Sequence, residues 1–325
     1  LKIAVVILNW NGKALLEKFL PSVVAYSKEA TIYVADNAST DNSVAFVKAN
    51  YPEIKIIQNT ENGGYAKGYN QALQHVEEDI FCLLNSDIEV TKNWLAPILQ
   101  EFKTNSETAI IQPKILDYKN KEYFEYAGAA GGFIDKYGYP YCRGRIFDTI
   151  EKDQNQYQDA NIFWASGACF FIKKETFKTL DGFDESFFAH MEEIDLCWRA
   201  FNLNYQTKYI GASTVYHVGG ATLQTSNPKK TYLNFRNSLF TLTKNASGDL
   251  FFLIFNRLVL DGVAAIKFLL QFKITHIGAI FKAHFSYYSA LPRLLKERKT
   301  LPKKKDYYHT KSIVFSYFIK GNKTF

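Results

Sequence analysis

The chain has 325 residues, of which 47% are hydrophobic and 22% charged. That length allows one large α/β domain plus a further region, and the balance excludes a disordered or collagen-like chain. Net charge is +7 but unevenly spread: residues 226–325 hold 18 Lys and Arg against 4 Asp and Glu, which leaves residues 1–225 at −7. Two regions with different partners are expected. Aromatics reach 16%, a content that suits a large core and surfaces that meet sugars or lipid headgroups. Cys82, Cys142, Cys169 and Cys197 are scattered and form no CxxC pair, which argues against a zinc cluster or disulfide framework and for a reducing compartment.

The apolar run Ile3–Leu8 leads straight into a polar turn and reads as a strand rather than a secretory signal. No run of about 18 uncharged apolar residues occurs, so a simple membrane span is not expected. The spacing then predicts a helix over 15–26, a strand over 31–34, a helix over 43–49, a strand over 54–58, a helix over 65–75 and a strand over 80–84. Repeated βαβ units imply a mostly parallel sheet flanked by helices. Ligands of such sheets sit beyond the carboxyl ends of the strands. Polar clusters fall there: Asn9-Trp10-Asn11-Gly12, Asp36-Asn37, Asn59 to Gly64, and Asn85-Ser86-Asp87.

The middle is less regular. Residues 123–144, rich in Gly and Tyr, read as a loop or hairpin. An apolar strand over 163–172 is broken at Ser166-Gly167. A helix is expected over 188–202, and Val215-Tyr216-His217 ends a further strand before Gly219-Gly220. From Tyr232 onward the chain reads as helices, with an apolar segment at 250–272, a mixed one at 276–295 and a basic run at 296–305.

Several side chains suit chemistry. Asp87 closes an apolar strand, where a carboxylate can hold a divalent cation and leave coordination sites for phosphate oxygens; a turn cap explains it equally well. Glu192 and Glu193 stand about 100° apart on a helix, so one can face a cleft while the other is turned away. Flanking Phe187-Phe188 and Leu196-Cys197-Trp198 imply burial, which raises a carboxyl toward general-base work. Asp195 and Arg199 are spaced for a structural ion pair. His217 by itself is as well explained by structure, but an imidazole beside Asp87 makes a plausible divalent-metal set. Gly63-Gly64 open a helix and permit close approach of a phosphate, although the segment is neither a dinucleotide fingerprint nor a Walker loop.

These pieces occur in a familiar order. VVILNWNG at 5–12, VADNASTDNS at 34–43, NTENGGYAKGYNQAL at 59–73 and LLNSDIEV at 83–90 resemble family 2 glycosyltransferases with the GT-A fold. WASGACFFIKKETFKTLDGFDESFF at 164–188, HMEEIDLCWRA at 190–200, STVYHVGG at 213–220 and YLNFRNSLFTLTKN at 232–245 are similar to the rhamnosyltransferase-like and galactofuranosyltransferase-like branch. The resemblance covers about residues 2–245; taken with the charge shift, it gives a catalytic domain over 1–225, with a nucleotide-binding half to about 107 and an acceptor half beyond, and a helical appendage over 226–325. It implies inverting transfer from a nucleotide-diphosphate sugar with Mn²⁺ or Mg²⁺. Asn9, Asn11, Asp36, Asn62, Gly63, Lys67, Asn85, Ser86 and Asp87 would line the donor site. Asp87 and His217 would hold the metal, Glu193 would be the catalytic base and Glu192 its neighbour. The family's DxD position reads Asn85-Ser86-Asp87 here, so its first acid is missing. Two other functions share the layout: a sugar-phosphate nucleotidyltransferase, for which Asn9 to Lys13 offers a single cation, and a non-catalytic glycan- or membrane-binding protein.

The basic aromatic tail can pack on the catalytic domain, bind nucleic acid or lie on an anionic membrane. No nucleic-acid motif accompanies the charge, whereas Lys and Arg with Phe and Tyr on helices fit an interfacial surface. The expected acceptor is a glycan or lipid-linked glycan of surface polysaccharide synthesis. The expected place is the cytoplasmic face of the cell membrane, as a peripheral protein.

Overall fold

The computed structural model describes residues 1–219 and 227–325. In chain order the elements are β1 (Ile3–Asn9), α1 (Lys13–Tyr26), β2 (Ala30–Asp36), α2 (Ser43–Asn50), β3 (Lys55–Gln58), α3 (Gly64–Leu73), β4 (Ile80–Asn85), β5 (Ile88–Val90), α4 (Leu95–Thr104) and β6 (Thr108–Asp117). Then come β7 (Gly132–Ile134), β8 (Pro140–Cys142), β9 (Arg145–Ile146), β10 (Thr149–Ile150), β11 (Ala160–Ile162), β12 (Cys169–Lys173), α5 (Lys174–Thr179), α6 (Glu192–Asn202) and β13 (Gln206–His217). The last helices are α7 (Pro228–Asn245), α8 (Leu250–Leu270), α9 (Ile274–Thr300) and α10 (Ile313–Phe318).

Strand alternation builds two cores, one on each face of the main sheet. Along β1, Ile3, Val5 and Ile7 pack on one side with Leu16, Leu20 and Val23 of α1. Ala4 and Val6 pack on the other with Tyr69 and Ala72 of α3. This is the period-two pattern of a strand buried on both faces. The sheet runs β11-β13-β6-β12-β4-β1-β2-β3, with β5 paired to β13. Its β4-β1-β2-β3 half is parallel, as the βαβ reading expects. The other half is mixed, because β12 runs antiparallel to both β4 and β6. Between β6 and β12 the chain leaves the main sheet to form β7–β10 and the edge strand β11, and β12 re-enters the middle of the sheet in the opposite direction.

One expectation shifts. The helix expected over 188–202 begins four residues later, at Glu192. Phe188, His190 and Met191 have positive φ angles of 64°, 69° and 73°, which no right-handed helix accommodates. Residues 123–144, expected as a loop or hairpin, contain the antiparallel pair β7–β8, part of a second, four-stranded sheet.

The C-terminal helices are bound closely to the rest. Asn237 of α7 donates to the carbonyls of Phe187, Ala189 and His190. Lys244 pairs with Asp184 at 2.6 Å. The chain then returns to the small sheet. Asp135, fully buried, accepts the backbone N–H groups of Tyr137, Tyr139 and Ile313, each at 2.9 Å. The Tyr307 hydroxyl donates to the Lys136 carbonyl at 2.8 Å, and the Tyr317 and Thr149 hydroxyls meet at 2.8 Å. The boundary expected at 225/226, and Gly220 of the Gly219-Gly220 pair, lie outside the described residues.

Candidate active site

Asp87 occupies the turn between β4 and β5. Because β5 pairs antiparallel with the end of β13, His217 stands opposite Ile88 and its imidazole reaches Asp87. His217 Nε2 lies 3.2 Å from Asp87 Oδ1, and both side chains are buried. A third group joins them. After β6 the chain doubles back, with Phe124 bridged to Leu116 and the Glu125 N–H donating to the Ile115 carbonyl at 3.1 Å. This sets Glu125 Oε2 3.3 Å from His217 Nδ1. Gly219, at φ +69°, leaves the space: a Cβ there would stand 2.7 Å from Glu125 Oε1. Burial by itself would depress the imidazole, but Glu125 and Asp87 hold its pKa up at about 10.

Glu192 and Glu193 open α6. Glu192 is buried and Glu193 partly exposed. The Oε2 atom of each is shielded from solvent and has no hydrogen-bond partner among the described residues. Burial pushes Glu193 up to about 7; burial and then the charge of Glu193 push Glu192 well above the usual carboxylate range. Neighbouring contacts fix the start of α6. The Tyr65 N–H donates to the Phe188 carbonyl at 2.8 Å. The Tyr65 hydroxyl donates to the Gly167 carbonyl at 2.8 Å. A Cβ on Gly167 would lie 3.7 Å from the Glu193 carboxyl carbon. One residue on, the Ala168 carbonyl accepts the Asn85 N–H at 2.9 Å. The turn at 166–168 thus separates Glu193 from the strand end that carries Asn85, Ser86 and Asp87. Farther along α6, Asp195 and Arg199 form the expected ion pair at 2.9 Å, fully buried at Asp195.

At the other strand ends the polar side chains organise the loops themselves. Asn9 Nδ2 donates to Asp36 Oδ1 at 3.1 Å, and the Ser39 N–H donates to Asp36 Oδ2 at 2.9 Å. Asn11 Oδ1 accepts the N–H groups of Thr40 and Asp41, so this oxygen serves the loop after β2. Asn62 Oδ1 accepts the Gly64 N–H at 3.0 Å. Gly63 precedes α3, and a Cβ there would stand 2.8 Å from Lys67 Cβ. Lys67 is paired with Glu61 at the surface. Ser86 faces Gly12, where a Cβ would come within 2.4 Å of Asn9 Oδ1 and 3.7 Å of Ser86 Oγ. Asn9 Oδ1 itself is buried without a partner among the described residues.

Two positions escaped sequence reasoning. Glu125 lies 92 residues before His217, in a stretch that reads as a loop; the signal is a single carboxylate set in the aromatic, glycine-rich run Tyr123 to Gly132. Asn37 is a buried hub: its Nδ2 donates to the Gly64 carbonyl at 2.9 Å and its Oδ1 accepts from Asn59 at 2.7 Å. Gly68 is required beside it, since a Cβ would stand 2.6 Å from Asn37 Nδ2.

The donor set fits a divalent cation. Two adjacent ligands of an octahedral ion, bonded at about 2.1 Å, stand about 3 Å apart, close to the Asp87–His217 separation. A ligating histidine characteristically gives its other ring N–H to a carboxylate; His217 Nδ1 has no hydrogen-bond partner among the described residues, and Glu125 Oε2, 3.3 Å away, is the carboxylate that a small rotation would bring into line. Among the described residues no group of three or more His, Cys, Asp or Glu side chains forms a self-sufficient metal site. Phosphate and water would have to complete the coordination.

The mixed sheet, the helices on both faces and the polar strand edge define a GT-A fold, which solved structures share. The crystal structure of GalNAc-T7 with UDP, GalNAc and Mn²⁺ superposes with a TM-score of 0.58 at 17% identity, over 75% of this chain and about half (48%) of that one. The mannosyltransferase PcManGT of Pyrobaculum calidifontis, in complex with GDP-Man and Mn²⁺, gives 0.55 at 12% identity, over 88% and 87%. Residues 4–181 match the model of glycosyl transferase family 2, and the chain belongs to that family. Among curated relatives, N-acetylglucosaminyl-diphospho-decaprenol L-rhamnosyltransferase of Mycobacterium tuberculosis is 22% identical over 66% of this chain and 75% of its own length. The low-salt glycan biosynthesis hexosyltransferase Agl10 of Haloferax volcanii is 24% identical over 86% and 89%.

Proposed function

We propose that the protein transfers a sugar, with inversion, from a nucleoside-diphosphate sugar to a hydroxyl of a glycan or lipid-linked acceptor in cell-envelope synthesis. The observation that carries this reading is the Asp87–His217–Glu125 set standing across one turn from a carboxyl raised to about 7. Residues 1–107 bind the nucleotide and residues 108–225 supply the acceptor side and the base. Asp36, with Asn9 and Asn11 behind it, fixes the loop against which the nucleoside sits. Asn62, Gly63 and Lys67 border the sugar side. Asn85 and Ser86 line the strand end that leads to Asp87.

Asp87 and His217 are the residues that would hold Mn²⁺ or Mg²⁺, with Glu125 orienting the imidazole. A bound divalent ion neutralises charge that develops on the leaving diphosphate. Glu193 takes the acceptor hydroxyl proton as the acceptor oxygen bonds to the anomeric carbon. The bond from that carbon to the diphosphate oxygen breaks, and its electron pair leaves with the nucleotide. One base suffices, because the leaving group departs as a stabilised anion without protonation. The raised pKa of Glu193 matches its strength to this task near neutral pH. A relative whose name carries a diphospho-decaprenol acceptor and the basic tail support a reaction at the cytoplasmic face of a membrane.

The test is a donor screen. UDP-, GDP- and dTDP-sugars are incubated with and without Mn²⁺, and nucleoside diphosphate release and the anomeric configuration of the product are read. Mn²⁺-dependent release with inverted product is expected. Pyrophosphate release from a nucleoside triphosphate and sugar phosphate would overturn the reading.

A further inference from the structure

Helix α8 is amphipathic in the reverse of the usual sense. Its buried stripe is Leu253, Arg257 and Asp261. Arg257 Nε pairs with Asp261 Oδ1 at 2.8 Å, while His284 Nε2 of α9 and the Tyr139 hydroxyl reach the same carboxylate at 3.1 and 2.9 Å. The polar anchor therefore faces the body of the protein. Phe251, Phe255, Val259, Val263, Ile266 and Leu270 are exposed. At 100° per residue they fall within an arc of about 120°, centred opposite the buried stripe. A helix that packs on a globular core carries its apolar face inward; here that face points out.

The exposed face continues beyond α8. Leu270 is 75% exposed and Phe272, in the turn to α9, is 90% exposed; Phe285 of α9 is 72% exposed. Lys267 Nζ lies 5.2 Å from the Phe318 ring centroid, so α10 flanks α8 and brings the exposed Phe315 and Ile319 alongside. Lys267, Lys273 and Lys282 are exposed around this apolar strip. Residues 226–325 offer few acids in return, and of these Asp261 is buried. Among the described residues no helix is long and apolar enough to cross a membrane.

We propose that the outward face of α8, the Phe272 turn and the adjoining face of α9 form a docking surface for an anionic phospholipid bilayer, with the apolar strip sunk to the level of the headgroups and the lysines on lipid phosphates. This deepens the membrane reading proposed above, which rested on a relative's lipid-linked acceptor and the basic tail. Charge selects the bilayer over a second copy of the chain, since a twofold contact through this face would set lysines against lysines. The Arg257–Asp261–His284 anchor holds the strip outward without any lipid present, so the surface is ready before contact.

The experiment is co-sedimentation of the full chain with phosphatidylcholine vesicles, with and without phosphatidylglycerol. The variants are Leu270→Ser with Phe272→Ser and Phe285→Ser, and Lys267→Glu with Lys273→Glu and Lys282→Glu. All six positions are exposed, so folding is expected to hold and is read by thermal melting. The wild type should bind the anionic vesicles at least about tenfold better than the neutral ones, and each triple variant should lose about tenfold or more. Absence of wild-type binding, or binding unchanged in both variants, would overturn the proposal. So would a dimer in light scattering that the apolar variant converts to a monomer. Nucleoside diphosphate release without vesicles is measured on the same samples. Vesicle binding without any donor turnover, in the donor screen above with lipid-linked N-acetylglucosamine added as acceptor, would refute the catalytic reading and leave the docking surface standing.

Discussion

At the ends of β1, β2 and β3, polar side chains mostly satisfy one another; at the start of α6 they do not. Asn9, Asp36, Ser39, Asn37 and Asn59 form a closed set of hydrogen bonds, with one orphan atom at Asn9 Oδ1. Glu192 and Glu193 each keep a buried oxygen without a partner among the described residues. Leaving a buried polar group unpaired costs about 1–3 kcal/mol, and folds retain such groups where they act. The closed set is a frame that shapes a pocket. The open set is where a proton can be taken up.

The sharpest break of that comparison is Glu193→Gln. Transfer should fall by about 10²–10⁴-fold, while donor binding by calorimetry persists; near-normal turnover would move the base elsewhere. In the wild type, kcat/KM should rise with pH through about 7 as the raised carboxyl of Glu193 loses its proton. The same raised pKa makes a stability statement. The folded state holds a proton that the unfolded chain releases near the ordinary Glu value of about 4.3. Stability should therefore fall as pH climbs from there to about 7 and level off above it. Glu193→Gln should flatten that fall, as pH-dependent melting would show.

Next in size, Asp87→Ala and His217→Ala should each remove Mn²⁺-dependent stabilisation by nucleoside diphosphate. Unchanged metal titrations in both would refute their assignment. Glu125→Gln should weaken Mn²⁺ binding by roughly 10–100-fold, the scale for a partner that orients a ligating histidine. At the closed frame the expected effects are on stability. Gly64→Ala should cost about 1–3 kcal/mol, since Gly64 has φ +78° and a Cβ would sit 2.3 Å from the Phe188 carbonyl oxygen. Gly63→Ala should cost less, since Gly63 has φ −80° and is free of backbone strain, although a Cβ would stand 2.8 Å from Lys67 Cβ and the first turn of α3 must give way. Equal losses of Tm in the two variants would show that the loop geometry is not what separates them.

The parallel half of the sheet was legible because each βα unit carries its own local signals: an apolar run, a polar turn and a periodic helix. Asp87 and His217 could be named as candidates, but their pairing rests on β5 joining the far end of β13, a contact spanning more than 120 residues that no local pattern records. Glu125 was missed for the same reason, since only the doubling back after β6 gives it a role. The start of α6 was misplaced because φ reversals at Phe188, His190 and Met191 leave no mark in residues that are not glycine. The direction of α8 could not be read either. Periodicity reports that a helix has an apolar side, not which side the body of the protein takes.

Asp135 gathers hydrogen bonds from both ends of the small sheet's first turn and from Ile313, 178 positions downstream. A helix far along the chain therefore completes the support of the small sheet, which begins seven residues after Glu125. Without Ile313 the buried Asp135 carboxylate would lose one of its three backbone donors, so the small sheet is tied to that distant helix.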